Sequence, residues 1–388
     1  MAGSSALRKF SRKKLDRPMG LTSNKVLALA VLAAVALFVA TIRLWPRLSH
    51  RGRRAVLGRV GLLLATQSAI FAAVGLAANK SFLFYGSWAD LLGREQEMGV
   101  VVDHSASSRT VKVVGKQRPD VPGGARPETG GQIHKVVIVG ERSGIDSPAY
   151  VYLPPEYFQP AHASRAFPVT VVLTGYPGTA ENLITGLEYP RTAFMQAREG
   201  RMRPMILVML RPTVAPPRDT ECVDVPDGPQ TETFFAQDLP AAVAQTYRVG
   251  TGPRNWGIMG NSTGGYCALK IALHHPGRFA AGAGLSAYYK AAEDPTTGDL
   301  FHGNQAERRR ANLLWSLDHR PQGASSFLVT TSEQGEGNLA GTREFIRKVK
   351  APARVSSITL ESGGHNFNTW RREIPPALVW MSGRLGTG

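Results

Sequence analysis

Only 2 cysteines occur among 388 residues. Two thiols cannot build a disulfide scaffold and are too few for a structural zinc site. Charge is also sparse, 19% of residues against 43% hydrophobic, which excludes a mainly disordered chain. Acids are nearly missing from the N-terminal part. Residues 1–59 hold thirteen Lys/Arg and one acid, Asp16, a net +12 that leaves +5 for the other 329 residues. A strongly basic head on a weakly basic body is not the footprint of a nucleic-acid domain, so no nucleic-acid partner is expected.

The head reads as a membrane anchor. Residues 26–42 and 60–78 run without a charge, the second interrupted only by Thr66, Gln67 and Ser68. Each approaches the ~20 residues that cross ~30 Å of hydrocarbon, and neither shows the charged face of a helix packed on a soluble core. Trp45 beside the first run, and Phe82, Phe84, Tyr85 and Trp88 after the second, suit the membrane interface. A second span with an arginine-rich approach argues against a cleaved signal peptide. The connector 43–59 carries six arginines and no acid, and the tail 8–17 carries six Lys/Arg; both favour the cytoplasm. Two spans put them on opposite sides. A start at Met19 removes the tail, placing the connector inside and everything after about residue 80 outside. The expected layout is a basic tail 1–25, a two-helix anchor 26–92, a polar linker 93–131 and a domain 132–388 outside the cytoplasm.

Beyond the linker, strand-like and helix-like stretches alternate. Residues 133–139 (IHKVVIV) and 149–153 (AYVYL) read as strands around a turn at Ser143 and Gly144. Further strands are expected at 168–173, 205–210, 255–259, 326–330 and 356–360, short apolar runs typical of strands buried on both faces. Helices are expected at 187–199, 236–247, 263–275, 305–317 and 342–349. The alternation predicts an α/β three-layer domain with a mostly parallel sheet.

The chemistry gathers at strand ends. Gly260-Asn261-Ser262-Thr263-Gly264 is a G-x-S-x-G with a strand (RNWGIM) running in and a helix (GGYCALKIALHH) running out, the setting of a nucleophile elbow. A serine hydroxyl needs a base and a group to orient that base. His365, in SGGHNF after the last predicted strand, is the well-placed downstream histidine, whereas His302 and His319 read as surface residues. His274 and His275 belong to the helix leaving the elbow and point elsewhere. The acid is expected after strand 326–330, where TSEQGEG offers Glu336, flanked by glycines, with Glu333 as the alternative. An oxyanion hole needs two N–H donors; Thr263 follows the nucleophile, and the loop Thr174-Gly175-Tyr176-Pro177-Gly178 offers Tyr176, or else Gly175. No cofactor or metal is called for.

Together, LTGYPG, GNSTGGYCALKIALHHPGRFAAG, the Glu-bearing segment and GGHNFNTWRREIPPAL resemble the esterase family of α/β-hydrolases that includes esterase D-like enzymes and the secreted mycolyltransferases of actinobacteria. The resemblance spans roughly residues 133–385. It implies a Ser–Glu–His triad and acyl-ester chemistry outside the membrane. In the mycolyltransferases the acid precedes a helical phenylalanine by some nine or ten residues, a spacing that Glu336 and Phe345 fit better than Glu333 does. The two-span anchor and the GNSTGG elbow depart from those transferases, so their sugar and lipid specificity is not carried over. The leading expectation is a membrane-anchored serine esterase acting on an ester or acyl lipid of the cell envelope. The alternatives are an acyltransferase to a sugar or lipid alcohol, and an inactive esterase-fold envelope protein.

The two cysteines complete the reading. Cys222 falls in the loop after strand 205–210 and Cys267 in the helix leaving the elbow, 45 residues apart. Loops after parallel strands gather at the carboxyl edge, where that helix begins. A disulfide is therefore expected, contributing roughly 3–4 kcal/mol by restricting the unfolded chain.

Overall fold

The apolar runs become helices whose side chains face outward. The computed structural model describes residues 23–50, 52–82, 88, 110–214, 216 and 218–386. Met1, Met19 and the basic tail up to residue 22, with Phe84 and Tyr85, lie outside the described residues. Helices α1 (Asn24–Leu44) and α2 (Arg53–Phe82) are long and apolar enough to cross a membrane. Leu57 and Phe71 are 70% and 77% exposed. Polar groups meet between the helices: the Thr41 and Thr66 hydroxyls lie 2.9 Å apart, and Lys80 donates to Asn24 Oδ1. One hydroxyl donates to the other, and the accepting threonine can donate to the carbonyl one turn back on its own helix, that of Leu37 or Leu62.

The second unit is built on a nine-stranded sheet. Its strands are β1 (Val111–Gln117), β2 (Gln132–Val139), β3 (Asp146–Leu153), β4 (Val169–Leu173), β5 (Ile206–Leu210), β6 (Trp256–Asn261), β7 (Ala281–Leu285), β8 (Ser326–Gln334) and β9 (Arg354–Ser362). Their order is β1-β2-β3-β5-β4-β6-β7-β8-β9; the first three junctions are antiparallel and the other five parallel. Helices α3 (Ala180–Thr185), α4 (Tyr189–Arg198), α5 (Leu239–Thr246), α6 (Thr263–His274), α7 (Gln305–Arg310), α8 (Leu313–His319), α9 (Leu339–Lys348) and α10 (Phe367–Arg384) cover it. Because successive strand residues point to opposite faces, each central strand feeds two cores. Val171 and Ile258 pack with α5, α6 and α9 on one face, while Val172 and Met259 pack with α4 and α10 on the other. This is the α/β-hydrolase three-layer sandwich.

Four local expectations change. The linker does not extend to residue 131, because residues 111–117 pair with β2 as an edge strand. Its exposed outer residues made VKVVGKQ read as polar text. Strand β7 (AGAGL) was not expected, since it has no β-branched or aromatic residue; its glycines lie against Leu269 and Ala272 of α6, which leave no room for side chains. The expected helix 305–317 is two helices, the second begun where Asn312 accepts from the Leu314 and Trp315 amides. Helix α10 was also not expected, because Pro375 and Pro376 stand inside it; its burial of Ile374, Ala377, Leu378 and Met381 overrides them.

Candidate active site

Strand β6 ends at Asn261, and α6 begins at Thr263. The single residue between them, Ser262, has φ 54° and ψ −123°, a conformation that L residues adopt only under constraint. Packing supplies the constraint. A side chain on Gly264 would stand 2.3 Å from the Thr174 carbonyl oxygen, so only glycine lets α6 start this close to the β4 loop. The Ser262 amide donates to the Leu285 carbonyl of β7 at 3.0 Å. The serine is thereby lifted out of the sheet edge.

His365 meets it from the loop between β9 and α10. Ser262 Oγ and His365 Nε2 are 2.8 Å apart. The imidazole stands edge-on against Trp370, ring centres 5.2 Å apart, and Trp370 is braced by its own N–H donating to Ser286 Oγ at 2.8 Å. Burial lowers the His365 pKa and the Glu336 charge raises it, with burial the stronger. The imidazole is therefore neutral, and able to accept a proton, over a wider acid range than a free histidine.

Glu336 sits in the loop after β8. Its Oε2 accepts from the Ser332 hydroxyl at 2.9 Å, and its Oε1 is buried without a hydrogen-bond partner among the described residues. Glu333 is exposed on the end of β8. Of the two acids proposed from sequence, Glu336 is the one whose charge reaches the imidazole. Gly335 has φ 92°, and a side chain there would stand 2.2 Å from the Gly363 carbonyl oxygen. The acid loop and the histidine loop thus touch backbone to backbone, tied by Gly363 N–H to Gln334 O at 3.0 Å.

Thr263, Tyr176 and Gly175 all flank the serine. Thr263 opens α6, where free amides carry the positive end of the helix dipole. Gly175 and Tyr176 line, with Ser262 and His365, a cavity of 140 Å³ walled by Leu187, Phe367 and Trp370. Behind Thr263 stands a chain that sequence reading missed. The Thr263 and Tyr288 hydroxyls are 3.0 Å apart, and Tyr288 donates to Glu221 Oε1 at 2.6 Å. Burial, and then the charge of Asp219, push the Glu221 carboxyl up to about 8.

Cys222 and Cys267 are joined as a disulfide, with Cα atoms 5.7 Å apart. Beside it, Glu232 collects Lys270 Nζ at 2.7 Å, Arg310 Nη2 at 2.6 Å, His275 Nε2 at 2.8 Å and His274 Nδ1 at 3.1 Å. Burial alone would raise the Glu232 pKa; Lys270 and the histidine hydrogen bonds overcome it and hold the carboxylate well below its usual range. His274 and His275 thus turn away from Ser262, as expected. A second buried carboxyl, Glu373 on α10, makes no ion pair among the described residues and feels only the more distant Arg372 charge. Thr330 offers it a hydroxyl but neither carboxyl oxygen makes a well-formed hydrogen bond. Burial pushes it up to about 8, with the Glu336 charge adding to the rise. Neither Glu373 nor Glu221 lies in a motif, so no local signal marks them. Among the described residues no cluster of three or more His, Cys, Asp or Glu has the arrangement of a metal site.

Comparison with known proteins bears on the family and the fold. A family model described as "Putative esterase" matches residues 141–381. An uncharacterized protein of Corynebacterium glutamicum is 28% identical over 261 residues, 63% of this chain and 59% of its own length. The chain thus spans about three-fifths of that relative. Among solved structures, an S-formylglutathione hydrolase from Agrobacterium tumefaciens superposes with TM-score 0.56 at 18% identity, covering 71% of this chain and all of its own. A ferulic acid esterase gives TM-score 0.56 at 17% identity, over 66% of this chain and 99% of its own. A fluorophosphonate-binding serine hydrolase from Staphylococcus aureus gives 0.52 at 17%, over 65% and 98%.

Proposed function

The chain belongs to the Esterase family of α/β-hydrolases, and from that premise we propose that it hydrolyses carboxylic esters through an acyl-enzyme on Ser262. The carrying observation is the 2.8 Å approach of Ser262 Oγ to His365 Nε2 at a backbone turn that exposes the hydroxyl. In this reading His365 takes the serine proton as the hydroxyl attacks the ester carbonyl. Glu336 holds the imidazole and stabilises its cation. The carbonyl oxygen, negative in the tetrahedral intermediate, is met by the Thr263 N–H and by Tyr176 or Gly175 N–H from the β4 loop. His365 then returns the proton to the departing alcohol, and water repeats the cycle to release the acid. The ester and thioester hydrolases among the structural neighbours support hydrolysis as the outcome.

The same proposal places the enzyme at a membrane, with α1 and α2 as spans, the arginine-rich connector 43–59 in the cytoplasm and the esterase domain outside. A disulfide between Cys222 and Cys267 supports that side, because such bonds persist in oxidising compartments. Labelling with a serine-reactive fluorophosphonate tests the chemistry: the native protein takes the label and Ser262→Ala does not. Labelling that survives Ser262→Ala refutes the assignment. Fusions at the C-terminus test the topology, with active alkaline phosphatase and dark green fluorescent protein expected. The reverse pattern puts the domain in the cytoplasm.

A further inference from the structure

The cavity at Ser262 sets a size for the group it holds. Its 140 Å³ is close to the ~150 Å³ of an engineered apolar cavity that takes one benzene ring. It is well below the ~300–1,000 Å³ of pockets for drug-sized ligands. Its far wall is apolar and braced. Leu187 is buried in the core between the sheet, α4 and α10. The Phe367 ring lies against Gly186, where a side chain would come within 2.7 Å of it. Arg371 of α10 donates through Nε to the Gly186 carbonyl at 2.7 Å, and Trp370 is held by Ser286. These residues tie the 186–187 turn to α10 and brace the wall.

The direction of the substrate follows from the proton path. His365 delivers a proton to the leaving alcohol, and His365 has an exposed side, so the alcohol departs toward solvent. With the carbonyl oxygen turned to the amides of Thr263 and the β4 loop, the remaining substituent, the acyl chain, points at Leu187, Phe367 and Trp370. We propose that the substrates are esters of short acyl groups, of about two to six carbons, on alcohols whose size the cavity does not restrict. This rests on the nucleophile assignment made above.

The test uses the full-length protein in detergent with p-nitrophenyl acetate, butanoate, hexanoate and decanoate. kcat/KM is expected to be highest at acetate or butanoate and to fall at least about tenfold by decanoate. Leu187→Ala removes part of the wall and is expected to raise the decanoate-to-butanoate ratio about tenfold, while Leu187→Phe, which narrows the cavity, confines turnover to acetate. An optimum at decanoate, or a profile unmoved by both substitutions, overturns the size limit. Fluorophosphonate labelling of each protein separates the two ideas. Absent labelling of the native protein refutes the Ser262 reading itself, whereas normal labelling with a long-chain optimum refutes only the short-acyl assignment.

Discussion

The two sides of the site are held together by opposite means. On the elbow side, Ser262 stands on a strand and a helix that touch through glycine, and the back of α6 is pinned by Glu232 to Lys270, Arg310, His274 and His275. On the loop side, His365 and Glu336 come from two loops joined by a glycine contact and a backbone hydrogen bond, with the Glu373 carboxyl buried nearby. Both sides bury carboxyl groups. At Glu232 bonded cations outweigh burial and hold the carboxylate ionised, whereas at Glu373 burial outweighs the weaker pull of Thr330 and Arg372. Ser262 is thus held by close packing and an ionised cluster behind it, while His365 and Glu336 are held by loop contacts.

The largest break in this comparison is loss of either half of the proton pair. Ser262→Ala and His365→Ala are each expected to lower kcat on the order of a million-fold, and the double variant to lose little more, since the pair acts as a unit. Additive losses in p-nitrophenyl ester turnover would mean that the two sides work independently. Glu336→Gln is expected to lower kcat by about ten-thousand-fold. It also moves the acid limb of the pH profile to lower pH, because the charge that raises His365 is gone while its burial remains. Glu333→Gln should change neither; if it alone abolishes activity, the acid is Glu333.

The elbow side yields next. Glu232→Ala strands the Lys270 charge, buried with 2% of its side chain exposed, and is expected to cost about 3–5 kcal/mol in denaturant unfolding. The Glu232 pKa is depressed in the fold. Its stabilisation is therefore present above the unfolded value near 4.5 and is lost as pH falls through the folded one, and the variant should lack that acid-side decline. The smallest effect is expected at Glu373, where the sign reverses. Its folded pKa is raised from 4.5 to about 8, so native stability declines as pH rises across that interval. Glu373→Gln, which mimics the neutral acid, should flatten the slope and stabilise by on the order of 1–2 kcal/mol at pH 8. An unchanged pH–stability curve would show that Glu373 ionises normally.

Much of the domain was legible because its strands are continuous apolar runs, as in PVTVVL and MILVML, bounded by Gly and Pro. The site was legible where chemistry demands local pattern: the glycines around Ser262, and His365 directly after a strand. Strand β7 was hidden because what it needs is smallness against α6, and AGAGL carries no strand propensity. Helix α10 was hidden because a pair of prolines outweighs weak periodicity until the core it covers is known. Edge strand β1 was hidden by its own exposed face.

The sequence by itself determined the separation into a basic head with two charge-free apolar runs and an alternating α/β body, and the order of Ser262, Glu336 and His365 along the chain, because hydrophobic period and motif spacing are properties of neighbours along the chain. Only the tertiary structure decided which glutamate's charge reaches His365, that Tyr288 and Glu221 back Thr263, that Glu232 is ion-paired and Glu373 makes no ion pair among the described residues, and how small a cavity opens at Ser262. Each of these rests on groups tens of residues apart being brought within a few ångströms, and both the electrostatics of a buried carboxyl and the volume of a pocket are set by that assembly.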